Sequence, residues 1–213
     1  PFHFFADGRT IDRVPLEQCN GPATAIKLSP LPADAVIEPA DLQPWKASIR
    51  RTRRLLLNSG WYRRWKVEGY FQNHPVLSGE TARWLLGCGV ELIGVDFPSV
   101  DHPPFDAHIE ILGAGVLILE NLTNLDLLPH EGFEIATLPL ALVGRDGSPV
   151  RVAARHDSSK QGSPAESILA LGQVPPQIFR GAGPFQASFR LSRSNSESNF
   201  EMDAGIFDKP LGY

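Results

Sequence analysis

His108 and Glu120 stand twelve positions apart in residues 94–129, which read GVDFPSVDHPPFDAHIEILGAGVLILENLTNLDLLP. A neutral imidazole and a carboxylate are the donor types that a zinc-like divalent ion takes. A catalytic zinc site usually has three protein ligands and keeps one position open for water, so this pair supplies part of a site at most. On these two residues alone, a hydrogen-bonded structural histidine is the commoner arrangement.

The elements around the pair decide whether it can converge. Residues 107–112 read as a short helix carrying His108, Gly113 and Gly115 terminate it, and residues 116–119 read as an apolar strand ending at Glu120. A glycine-rich turn lets the helix fold back on the strand, which can bring both side chains to one point. Upstream, residues 90–95 are a buried strand by their β-branched and apolar content, ending at Asp96. Ser78 is placed to N-cap a helix over 80–86, with Glu80 complementing its positive end and Gly87 and Gly89 stopping it. Residues 54–58 are a compact apolar strand followed by the turn signal Ser59-Gly60.

Residues 13–44 are rich in proline, which limits them to short elements: a strand over 23–28 and a helical turn over 38–41. Residues 137–143 and 150–154 bracket Arg145-Asp146-Gly147-Ser148, where Asp-Gly favours a tight hairpin. Helices alternating with strands, then a hairpin, make an α/β or α+β domain with a mixed sheet over residues 1–154. Residues 155–213 are rich in Ser, Gly, Pro and Asn and are expected to be a largely disordered tail, with a short transient helix at 167–171.

The chain has 213 residues, a mass of 23.4 kDa and 42% hydrophobic residues, enough for one domain and an appendage. No apolar run approaches the roughly 20 residues of a membrane helix. A net charge of −4 and a pI near 5.9 leave no overall footprint for nucleic acid. The basic groups at 50–54 and 63–66 read as a solvated rim, the alternative being a hold on an anionic substrate. The aromatics Trp61, Tyr62, Trp65, Tyr70 and Phe71 read as a loop packed on the core rather than a nucleic-acid platform. Cys19 and Cys88 are too few for a disulfide framework; they fit a reducing cytoplasm and read as small hydrophobes. Position 1 is proline and the sole methionine is Met202, so the chain reads as processed or as a fragment.

Gly-Val-Asp-x-x-Ser-x-Asp at 94–101, His108, and Leu119-Glu120-Asn121-Leu122 with Asn124-Leu125 together resemble the metal-dependent cyclase and kynurenine formamidase family. In that family the corresponding histidine and glutamate are metal ligands, so the resemblance implies His108 and Glu120 as ligands, the glutamate bridging two zinc ions, with manganese as an alternative. The opening Pro1-Phe2-His3-Phe4 is similar to the end of the family motif His-x-Gly-Thr-His-x-Asp-x-Pro-x-His-Phe. This implies His3 as the catalytic histidine and places the other ligands ahead of Pro1, as in an N-terminally shortened member. The stretches Gly8-Arg9-Thr10-Ile11-Asp12 and Gly60-Trp61 also look like the family's. The implied fold is a swivelling β/β/α-type domain, and the implied assembly a homo-oligomer such as a dimer.

The implied chemistry is hydrolysis of N-formylkynurenine to kynurenine and formate in tryptophan breakdown. Metal-activated water would attack the formamide carbonyl and His3 would protonate the departing aromatic amine. Phe2, Phe4, Phe5 and Trp61 are available to an aromatic ring, though core packing is the commoner place for each. Asp96 is expected to orient a metal ligand through a hydrogen bond, while Ser99 and Asp101 suit loop capping. His74, His102, His130 and His156 receive no function. Within the same fold, isatin or another cyclic amide is the rival substrate. From another class comes a non-catalytic binding protein that holds zinc or manganese weakly.

Overall fold

The computed structural model describes residues 1–28, 30–157 and the backbone of a strand at 166–170. The chain first makes a 3-10 turn at Ile11–Arg13 and a short helix α1 (Leu16–Cys19), then strand β1 (Asn20–Lys27). Strand β2 (Val36–Ile37) and helices α2 (Pro39–Leu42) and α3 (Lys46–Thr52) lead to β3 (Arg54–Asn58). Strand β4 (Val76–Leu77), helix α4 (Gly79–Gly87), β5 (Leu92–Val95), helix α5 (Asp106–Gly113) and β6 (Leu117–Leu119) follow. The antiparallel strands β7 (Phe133–Thr137), β8 (Val152–Asp157) and β9 (Glu166–Ala170) close the described chain.

Seven strands form one mixed sheet in the order β6-β5-β3-β1-β7-β8-β9, and β2 and β4 pair separately. The half from β6 to β1 is parallel and the half from β1 to β9 antiparallel. Strand alternation sorts the core into two layers. Leu55, Leu57, Ile93 and Val95 pack with Ile49, Leu85, Ala107 and Ile111 of the helices. Leu56 and Leu92, on the opposite face, share a cluster with Phe133, Ile135, Val152 and Ala154 of the antiparallel half. The sheet therefore curls until its two halves face each other, giving a β/β/α layering. Leu55, Leu56 and Leu57 are wholly buried, and each such side chain contributes about 1.5–3 kcal/mol.

The expected mixed α/β architecture holds, with local corrections. The second hairpin strand lies over β8, but the first lies over β7 rather than 137–143. In β7, Phe133, Ile135 and Thr137 are buried while Glu134 and Ala136 are exposed, the period-two pattern of a strand with one face on the core. Leu138, Leu140, Leu142 and Val143 are exposed, and Thr137 pairs with Val152, so Asp146-Gly147 lies within a long connection and not a tight hairpin turn. The piece expected to be a transient helix is strand β9, recruited by backbone pairing with β8. The expected disorder at 158–165 and 171–213 lies outside the described residues. Among the described residues no helix is long and apolar enough to cross a membrane.

Candidate functional site

His108 sits in the first turn of α5 and is 7% exposed. The N-cap position is Phe105, held at φ 68° with no capping side chain of its own. Asp101 does that work from the preceding loop: its Oδ2 accepts from the backbone N–H of Ala107 at 2.7 Å and of His108 at 3.2 Å. Its other oxygen, Oδ1, accepts a hydrogen bond from His108 Nδ1–H. One buried carboxylate thus caps the helix and fixes the ring, which turns Nε2 towards Glu120.

Glu120 follows the last residue of β6, where the chain turns sharply through Asn121 at φ 58°. The turn is held by Asn121 N–H donating to Phe97 O and Leu122 N–H to Val95 O, both at 3.0 Å. Tyr70 O–H donates to Asn121 Oδ1 at 2.9 Å, and Trp61 Nε1–H donates to Tyr70 O at 3.0 Å. His108 Nε2 and Glu120 Oε1 end 3.8 Å apart. Burial opposes a charge on His108, but hydrogen bonds and charge from Asp101 and Glu120 outweigh it and push its pKa up to about 9.

His108 and Glu120 open onto a cavity of about 310 Å3 that is also lined by His3, Arg9, Ile11, Leu117, Ile118 and Asp146. All three residues singled out in the sequence, His3, His108 and Glu120, therefore share one cavity. Phe4 stacks on the His108 ring at 5.0 Å between centroids and Phe105 meets its edge at 5.8 Å. His3 Nδ1 lies 2.7 Å from Asp146 Oδ2. Arg9 Nη2 donates to Gln18 Oε1 at 2.8 Å and Gly115 O at 3.1 Å, tying the N-terminal segment to the end of α5.

Two expectations about polar groups are corrected. Asp96 does not orient the site: it accepts from Ser59 N–H, Ser59 Oγ–H and Gly60 N–H, at 2.9, 2.6 and 2.8 Å, and so shapes the turn after β3. Asp101 is the orienting carboxylate, in addition to the capping expected of it. Its seven-residue offset from His108 gives no sequence signal, because a loop rather than a helical repeat joins them. Trp61 is core, 2% exposed, and not part of the cavity lining. The basic groups are largely a paired rim, with Arg53 2.8 Å from Glu91 and Arg63 3.5 Å from Asp126, while Arg64 lies over Trp61.

The donor geometry suits an ion. Two atoms each about 2.1 Å from a shared metal lie at most about 4.2 Å apart, and 3.8 Å is inside that limit. A ligating histidine whose other nitrogen is held by a carboxylate is the usual support of such a site. Among the described residues no cluster of three or more His, Cys, Asp or Glu side chains is placed to hold a metal, so the pair stands as a partial donor set.

The Cyclase family model matches residues 1–102. The kynurenine formamidase of Bacillus cereus is 36% identical over 160 residues, covering 73% of this chain and 72% of that protein. The kynurenine formamidase of Geobacillus thermodenitrificans is 38% identical over 159 residues, with the same coverages of 73% and 72%. The chain belongs to the cyclase family of metal-dependent amide hydrolases. Among solved members of this fold, isatin hydrolase A from Labrenzia aggregata bound to benzyl benzoate superposes with a TM-score of 0.65 at 26% identity, over 72% of this chain and 69% of that one. The family match ends at residue 102, so His108 and Glu120 lie just beyond it, whereas the formamidase similarity spans about three quarters of the chain.

Proposed function

We propose that this cyclase-family chain is an arylformamidase that hydrolyses N-formylkynurenine to kynurenine and formate, with His108 and Glu120 as ligands of a divalent metal, zinc or manganese, and His3 as the proton donor. The observation that carries the reading is the convergence of His108 Nε2 and Glu120 Oε1 at 3.8 Å on a cavity whose wall also bears His3. The formamidase relatives support the reaction class. A divalent ion held there supplies Lewis acidity and acidifies water at neutral pH.

The remaining chemistry falls to the chain's own groups. Asp101 holds the His108 ring so that Nε2 is the nitrogen presented to Glu120. Metal uptake requires the Nε2 proton to leave, since only a neutral imidazole ligates. Water adds at the formyl carbon and the C–N bond breaks, with the electron pair remaining on the departing nitrogen. An imidazole both accepts and donates a proton, and His3 occupies the cavity rim where it can pass one from the attacking water to that nitrogen. Ile11, Val14, Leu112, Leu117 and Ile118 give the cavity an apolar wall suited to an aromatic ring.

A second reading, opening of isatin or another cyclic amide, is favoured by the superposition on isatin hydrolase A. The deciding experiment compares N-formylkynurenine and isatin as substrates of the zinc-loaded and manganese-loaded protein, beside His108→Ala and Glu120→Gln. Formate release that both substitutions abolish is the expected result. Isatin opening without formamide hydrolysis would transfer the assignment to cyclic amides.

A further inference from the structure

We propose that Asp146 is the positioning residue for His3, fixing which ring nitrogen faces the substrate; this rests on the reading of His3 as proton donor. His3 Nδ1–H donates to Asp146 Oδ2 at 2.7 Å, across a sequence separation of 143. Both residues line the cavity that holds His108 and Glu120. The hydrogen bond from His3 holds the Asp146 carboxyl below its usual range, so the acceptor is ionised at neutral pH.

The loop that carries Asp146 is fastened to the N-terminal segment by two links immediately before the contact. Ile11 N–H donates to Arg145 O at 2.8 Å, and Gly144 N–H donates to Asp12 Oδ1 at 3.2 Å. Farther along, Leu140 N–H donates to Ser148 Oγ at 3.0 Å. Asp146 is thus set against His3 by contacts that do not use the His3 or Asp146 side chain.

The pair has little to offer the fold. His3 and Asp146 side chains are 61% and 50% exposed, and ion pairs so open to water contribute almost nothing to stability. Its consequence is orientation. With the Nδ1 proton committed to Asp146, a neutral His3 ring keeps Nε2 as its acceptor, so one defined nitrogen exchanges a proton with the cavity. When the C–N bond breaks, the departing nitrogen takes the Nε2 proton and the Nδ1 proton stays in the Asp146 hydrogen bond. The ring regains its Nε2 proton from the attacking water, which closes the proton balance of each turnover.

The test uses the whole chain labelled with 15N-histidine, with the His3 signals assigned by their loss in His3→Gln. At pH 9 the neutral His3 ring should be mainly the Nδ1–H tautomer; Asp146→Ala should move it to the Nε2–H form usual in solution, and Asp146→Glu should restore it. In turnover, Asp146→Ala should lower kcat by roughly tenfold or more, up to the 10²–10⁴-fold that a general acid itself contributes, with KM changed less than about twofold. A His3 tautomer that is the same in wild type and Asp146→Ala overturns the proposal. An unaltered kcat in His3→Gln would instead overturn the reading of His3 as proton donor, while the tautomer shift reports the Asp146 contact independently.

Discussion

The phenol of Tyr70 donates to Asn121 Oδ1 at 2.9 Å, so an aromatic residue of the loop after β3 holds the backbone turn that immediately follows Glu120. Tyr70 is 4% exposed and its ring packs edge-on against Trp65. Burial first, and the nearby Asp96 charge second, push its pKa well above the usual phenol range, so the hydroxyl stays a donor. Tyr70→Phe keeps the packing and removes that donor. The expected loss is about 1 kcal/mol, or about 2–4 °C in Tm for a domain of this size, with weaker metal uptake because Glu120 is less firmly placed. Thermal melts paired with metal titration check both parts, and an unchanged affinity would detach the turn from the site.

Asp101 supports His108 twice, through the ring and through the helix N-terminus. Asp101→Asn should lower metal affinity about 10–100-fold, the usual cost of losing a ligand's outer partner. If Glu120 ligates as proposed, Glu120→Gln should remove more affinity, with little loss of Tm because its side chain is partly exposed. Competition with a chromophoric chelator measures both, and equal affinities in wild type and Asp101→Asn would remove the orienting role.

His74 predicts the pH dependence. It is 1% exposed, stacks on Phe97, and its Nδ1–H donates to Pro75 O at 2.9 Å. Burial lowers its pKa; the Pro75 hydrogen bond acts the other way, the neighbouring His102 lowers it further, and the charges of Glu120 and Asp101 raise it. A histidine depressed in the folded state contributes stability above its unfolded pKa of about 6.5 and loses it as pH falls towards the lower folded value. Melting temperature should therefore decline from pH 6.5 to pH 5, and His74→Asn should flatten that decline. Parallel slopes in the two proteins would exclude His74 as the source.

Gly94 is required by packing. A Cβ there would lie 2.6 Å from Leu56 Cδ2 and 2.7 Å from Leu122 Cδ1, both on buried side chains. Gly94→Ala should cost about 1–3 kcal/mol, the range for overpacking a filled core, without altering cavity residues directly. Denaturant unfolding should show a lower midpoint with an unchanged slope.

The sequence carries the local signals of this fold well where apolar pattern and caps agree. The expected strand at 54–58 matches β3, and the cap at Ser78 is made, its Oγ accepting from Thr81 N–H at 3.0 Å. The helix, glycine turn and strand joining His108 to Glu120 were legible for the same reason, as glycines punctuate a clear change of period. Helix α3 was not legible, because in Lys46–Thr52 only Ile49 and Thr52 are buried and two positions make no stripe. The leucines at 138, 140 and 142 misdirect the first hairpin strand, since they are exposed in a proline-interrupted loop while β7 ends before them. β1 runs through Pro22, which pairs with Glu134 of β7, whereas the pairing with β3 begins only at Thr24, so the missing N–H disturbs no central ladder. The contacts of His108 with Asp101 and His3 with Asp146 depend on loop paths that no periodicity encodes.

The contact across a sequence separation of 143 has a bearing on how the molecule comes together. One rim of the cavity belongs to the first turns of the chain and the other to the connection between β7 and β8. Such non-local closures bear the full entropy of ordering the intervening chain before they return anything. The rim should then be among the last features to assemble and the first to open, so catalytic competence should disappear in local fluctuations that leave the helical face of the sheet folded.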